Sequence, residues 1–189
     1  MKLKDKLVES MAKNGIIEQD EIDVYRFGVQ LLSETVLSFA IFLIIAALFG
    51  SIIEFIIFTA AFALLRQYAG GYHADKFISC LLISSCIITA FCAAIHLPDM
   101  AIYVVGVLSL ISLSVILLLS PVDSKYKPVP DSDKKKYRKK LILFLFAEIV
   151  SVSVIMPYSI HFSMCILLSW MVLSGLLIAG KIKSRKYSN

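Results

Sequence analysis

Three apolar stretches, residues 31–65, 77–120 and 141–180, decide what this chain can become. Each is longer than the roughly 20 residues one helix needs to cross a hydrocarbon core. Each also breaks near its middle, at Gly50-Ser51, Pro98-Asp99 and Met156-Pro157. The stretches therefore divide into six helical spans arranged as three hairpins, near 31–49, 51–66, 77–97, 100–120, 141–157 and 159–180. The second is short and either continues past Arg66 or sits tilted. No period-2 alternation runs through these stretches, so helices rather than a closed barrel satisfy the backbone in lipid. Composition argues against a soluble domain: 59% of residues are hydrophobic, only 17% are charged, and the mean hydropathy is +0.84. Soluble domains carry about 25% charged residues. The expected fold class is all-α, a polytopic membrane protein.

Charge gives the orientation. Lys and Arg number five in residues 1–30, two in 66–76, eight in 121–140 and four in 181–189, which accounts for all 19. The hairpin tips hold none. Basic loops stay in the cytoplasm, so both termini and the loops 66–76 and 121–140 are expected inside. The same basic surface faces the anionic inner leaflet, and no nucleic-acid partner is expected. Residues 1–30 read as an interfacial amphipathic segment rather than a secretory signal peptide. Leu3, Leu7 and Met11 recur at helical spacing among charges, and a second segment from Glu18 to Leu32 leads into the first span. This segment serves either as a membrane-lying anchor or as a peptide-docking element. Residues 31–180 form the transmembrane domain, and residues 181–189 a basic cytoplasmic tail.

The loop between the second and third spans concentrates reactive groups. Arg66, Gln67, Gly70, Gly71, His73, Asp75 and Cys80 fall within fifteen residues. A thiol becomes an effective nucleophile near neutral pH when an imidazole takes its proton, and a plain connection between membrane helices needs neither group. Asp75 is the expected N-cap of the third span, which sets Cys80 about one and a half turns inside, near the cytoplasmic edge of the bilayer. A straight helix would hold His73 and Cys80 about 10.5 Å apart. A non-helical 69–74 segment, bent at Gly70-Gly71, brings the imidazole over the sulfur instead. Arg66 is then placed to stabilise an oxyanion or bind a carboxylate, with Gln67 a weaker contributor. Arg66 snorkelling to the interface and glycines that only turn the chain are the plainer readings.

Orienting or cavity-lining acids come from Asp75, Glu34, Glu54 and Glu148, the last two sitting in apolar runs where a charge needs a polar interior or a partner. Cys86, Cys92 and Cys165 read as packing residues. No CxxC pair occurs, and His96 and His161 lie near hairpin tips away from His73, so no metal or other cofactor is expected. Two further classes compete: a transporter or channel using Glu34, Glu54 and Glu148, and a scaffold without chemistry. No inverted repeat or paired broken helices support the first, and the second gives the Arg66–Cys80 cluster no role.

These residues resemble the accessory gene regulator B (AgrB) family of quorum-sensing membrane peptidases. The resemblance rests on Tyr25-Arg26-Phe27-Gly28, on the Arg66…Gly70-Gly71-Tyr72-His73-Ala74…Cys80 core, and on Pro121-Val122-Asp123…Lys127-Pro128 before a lysine-rich stretch. It implies that His73 and Cys80 are the catalytic pair of a cysteine endopeptidase, with Arg66 and Gly71 also important. It implies a bacterial cell-membrane location and a short AgrD-like precursor peptide as partner and substrate. The acidic tail of that peptide is removed, and its core is carried as a thioester to a thiolactone ring. Lys125, Lys127, Lys134, Lys135, Lys136, Arg138, Lys139 and Lys140, against Asp123, Asp131 and Asp133, give residues 121–140 a net charge of +5. That patch either attracts the acidic tail or holds anionic lipid. Six short spans make a modest bundle for enclosing a peptide, so a homodimer is expected.

Overall fold

The computed structural model describes residues 8–12, 14, 17–72, 76–96, 101–122 and 131–188. Six long helices carry the described chain: α1 (Ile22–Leu48), α2 (Ile52–Ala69), α3 (Phe77–Ile95), α4 (Ala101–Leu119), α5 (Asp131–Ile155) and α6 (Ile160–Ser188). Four of them, α1, α2, α3 and α6, are long and apolar enough to cross a membrane by length and composition. In α4 the apolar stretch Tyr103–Leu119 is shorter, and α5 turns apolar only from Leu141.

The chain forms two compact units, Met1–Ile44 and Ile45–Asn189. In the first, residues 8–12 are helical, and a 3-10 turn at Gln19–Glu21 leads directly into α1. Glu18 and Glu21 form a reciprocal capping box over that turn. Asp23 follows in the first turn of α1, where negative charge complements the helix dipole, and Arg26 bonds it at 2.5 Å. The Glu18–Leu32 segment, expected as a short interfacial helix leading into the first span, joins it in one helix from Ile22, because nothing between Ile22 and Leu48 breaks the helix.

In the second unit α6 is the hub, packing against α2, α3, α4 and α5. In its most apolar stretch 61% of positions are buried, against 28% in α2 and 22% in α3, which places the core along α6. Met164, Cys165, Trp170, Leu173 and Leu177 fill it. Lipid is as apolar as leucine, so helices in a bilayer associate through close packing and hydrogen bonds rather than hydrophobic transfer. Those bonds are present. Ser109 of α4 donates to the Leu167 carbonyl at 3.2 Å, and Ser174 of α6 donates to Ser112 of α4 at 3.1 Å. Trp170 Nε1 donates to Glu148 Oε2 of α5 at 2.6 Å, while Glu148 Oε1 is buried without a hydrogen-bond partner.

The turns follow the sequence breaks that the structure describes. Gly50 takes φ +68° between α1 and α2, and Met156-Pro157-Tyr158 turns α5 into α6. Pro98-Asp99 lies outside the described residues. His96, capping the end of α3, sets Nε2 3.1 Å from both Ser51 Oγ and the Phe49 carbonyl, which ties the α1–α2 turn to α3. Two segments expected as loop and tail are helical. Residues 134–140 form the opening turns of α5, with Asp133 just before them, and α6 runs through residue 180 to Ser188. Lysine and arginine are good helix formers, and acids at a helix start favour it.

Removing the Glu148 carboxylate leaves the Trp170 N–H without an acceptor. Glu148→Ala is expected to cost about 1–3 kcal/mol. Glu148→Gln keeps an acceptor and is expected to cost less than half as much, read as the shift in thermal unfolding midpoint in detergent.

Candidate functional site

Arg66 stands in the last turn of α2, and its carbonyl accepts the Gly70 N–H at 3.2 Å as the helix ends. The end is set by backbone angles. Gly70 adopts φ +74° and Gly71 φ +120°, both in the region that favours glycine. The chain then doubles back, and the Arg66 guanidinium fills the bend: Nη1 donates to the Gly70 carbonyl and Nη2 to the Tyr72 carbonyl. A rigid fork of donors suits two fixed acceptors. A Cβ on Gly71 would fall on Arg66 Nη1 and come 3.2 Å from the Leu176 carbonyl, so the position is glycine for space as well as for angle.

Two more anchors hold this loop. Val122, just past α4, donates its N–H to the Ala69 carbonyl at 2.9 Å and makes a parallel bridge to Gly70. On α6, the Leu176 carbonyl accepts the Tyr72 N–H at 2.9 Å. Gly180 permits that approach: a Cβ there would lie 2.6 Å from the Tyr72 nitrogen and 2.7 Å from the Gly71 carbonyl carbon. Of the expected non-helical segment 69–74, residues 70–72 are non-helical and fixed from three sides, Ala69 still belongs to α2, and 73–74 lie outside the described residues.

Lys76, extended at φ −119° and ψ 138°, precedes α3, which begins one residue later than an Asp75 cap implies. Cys80 therefore ends the first turn, with its N–H on the Lys76 carbonyl at 3.1 Å, and it is exposed. It borders a cavity of about 210 Å³. Arg66, Tyr72 and Cys80 share that cavity's wall. A thiol, a guanidinium and a pinned loop around one cavity form an arrangement suited to nucleophilic chemistry on a carbonyl. His73 and Asp75 lie outside the described residues, as do Lys125 and Lys127.

Other expected residues stand elsewhere. Gln67 is exposed and donates to the Leu64 carbonyl at 3.3 Å. Glu54 occupies the first turn of α2, about 18 Å along the helix from Arg66. Glu148 meets Trp170 rather than the cavity. Glu34, in the first unit, accepts a bond from Gln30 at 2.8 Å. One basic residue of α5 and one of α6 meet aromatic rings near this loop. Lys140 Nζ lies 5.6 Å from the Tyr68 ring centre, and Tyr68 stacks on Phe144. Lys183 of α6 sits 5.0 Å over the Tyr72 ring.

Sequence reading gave no role to Tyr72, Leu176 or Gly180. The pointers were a tyrosine inside the motif and a second glycine, after Gly175, in the last helical run. Gly180→Ala is expected to break the Tyr72–Leu176 bond, so hydrogen exchange at the Tyr72 amide should quicken by about tenfold or more, in line with the worth of one such bond. Gly175→Ala, where nothing lies within 4 Å of the added atom, should leave that amide unchanged.

The family model for accessory gene regulator B matches residues 4–178. A putative AgrB-like protein 2 of Clostridium perfringens is 26% identical, with 77% of this chain and 74% of that protein covered. A putative AgrB-like protein of Clostridium acetobutylicum is 27% identical, covering 100% of this chain and 95% of that one. Accessory gene regulator protein B of Staphylococcus epidermidis is 25% identical, covering 82% and 81%. No solved structure matches. With the family model spanning nearly the whole chain, and its apolar helices carrying the Arg66–Cys80 loop, the chain is a membrane protein of the accessory gene regulator B family.

Proposed function

We propose that the chain is a membrane-embedded cysteine endopeptidase and peptide cyclase that processes the precursor of a quorum-sensing peptide. The observation that carries this reading is the shared cavity: Cys80 borders it with Arg66 and with Tyr72, the residue before His73. Cys80 is the nucleophile and His73 the base. The imidazole takes the thiol proton as sulfur attacks the scissile carbonyl, and returns it to the leaving amine as the carbon–nitrogen bond breaks. The acidic tail departs with a new amino terminus, and the core peptide remains as a thioester on Cys80. A thiol of the peptide itself then attacks that thioester, forms the thiolactone and frees the Cys80 sulfur. An apolar site keeps water from the thioester, and an internal thiol competes at high effective concentration.

Arg66 does two jobs in this reading. It holds the Gly70-Gly71-Tyr72 backbone, and it supplies positive charge where an oxyanion develops. Six spans in three hairpins, with both termini and the site on the cytoplasmic side of a bacterial cell membrane, agree with the distribution of basic residues. The lysines of α5 draw the acidic tail to that surface, and a second copy of the chain completes the enclosure of the peptide.

Cys80→Ala is expected to lower precursor cleavage in membrane vesicles by at least about a thousandfold, and His73→Gln by about a hundredfold or more. Mass spectrometry of a wild-type reaction quenched in acid should find the core peptide attached to Cys80. Processing that continues at the wild-type rate in Cys80→Ala removes the assignment.

A further inference from the structure

The cavity beside Cys80 is more elaborate than a nucleophile alone requires. Ile83, Ser84 and Ile87 follow Cys80 on α3 at three, four and seven residues, so they share its face and lead about 10 Å away from the loop. Facing them, Phe62 stands one turn before Arg66 on α2, and Leu176 of α6 completes the wall. Polar groups therefore gather with the sulfur at the loop end. The far end is apolar apart from the Ser84 hydroxyl. At about 210 Å³ the space is smaller than the roughly 300 Å³ at which pockets begin to hold drug-sized ligands. It fits one large side chain rather than a length of peptide.

We propose that this cavity is the specificity pocket for the residue whose carbonyl Cys80 attacks, and that it takes a bulky, uncharged, apolar side chain. The proposal rests on Cys80 being the nucleophile. A carbonyl within bonding reach of the sulfur carries its side chain on the adjoining Cα, so that side chain enters the space the sulfur borders. Among the described lining residues a charged side chain finds no counter-ion at the far end. The one charged group among them, Arg66, stands at the loop end and already donates to the carbonyls of Gly70 and Tyr72. Burying a lone charge among Phe62, Ile83 and Ile87 is strongly unfavourable. The rival occupant is a lipid chain, because Ile83 is 40% exposed on a helix expected to face the bilayer.

The experiment uses the full chain in nanodiscs and four acetyl-Gly-Gly-X chloromethyl ketones, with X as Leu, Phe, Ala or Asp. In each, the Cys80 sulfur displaces chloride, and intact-mass spectrometry follows the rate. Leu and Phe are expected to label Cys80 at least about tenfold faster than Ala, with Asp slowest. Ile87→Trp, which fills the far end, is expected to lower the Leu and Phe rates about tenfold more than the Ala rate. Ile87→Ala, which keeps the fold under less strain, should shift preference towards Phe over Leu. Rapid labelling that is equal for all four X overturns the pocket and leaves the nucleophile standing. Labelling no faster than by iodoacetamide, and insensitive to His73→Gln, overturns both. Rates that rise equally for every X on delipidation mark a lipid chain as the occupant and also overturn the proposal.

Discussion

A helix that ends near a membrane surface leaves carbonyls in need of donors, and a guanidinium at the same depth is in need of acceptors. At the end of α2 each requirement meets the other. Arg66 donates to the carbonyls of Gly70 and Tyr72, and the two glycines curve the backbone into its reach. The loop owes its shape to this exchange. Gly71 has to lack a side chain for the guanidinium to enter, and Tyr72 has to turn back towards α2 for its carbonyl to be reached. The same turn presents the Tyr72 amide to α6 and leaves Tyr72 at the edge of the Cys80 cavity.

α6 organises the rest by close contact. Serines bridge it to α4, Trp170 reaches Glu148 of α5, and Gly180 brings its backbone against the loop between α2 and α3. Each of these contacts uses a small residue or a hydrogen bond, the means available when lipid removes the hydrophobic incentive. The loop between α2 and α3 is therefore mounted on the most buried helix of its unit rather than hung between two peripheral ones.

How much of this could be read in advance depends on what each part is made of. Long apolar runs and their interrupting Gly50 and Pro157 announce helices and turns directly, since lipid exposure and backbone angle select residue types. Arg66 and Cys80 were legible because they fall within fifteen residues and carry distinctive side chains, whereas Tyr72 went unassigned. Leu176, Ala69 and Val122 hold the loop through main-chain atoms, and a backbone group leaves no signature in residue type. Gly180 acts across more than a hundred residues of sequence, so its link to Gly71 has no local pattern. The lysine-rich stretch looked like a loop by charge, yet its residues favour helix, and α5 takes them up from Asp131. Glu148 was expected to find a polar partner, and it did so in Trp170, at a distance from the cavity wall.

The loop's moorings and the cavity's far wall are made of different material. Main-chain groups of Ala69, Val122 and Leu176, with the bare Cα of Gly180, secure the bend, whereas Phe62, Ile83 and Ile87 form the apolar end of the recess. Exchanging one apolar residue for another at those three positions touches none of the groups that secure the bend. If the proposed function holds, a lineage of such chains can change which peptide it accepts while inheriting the same bend.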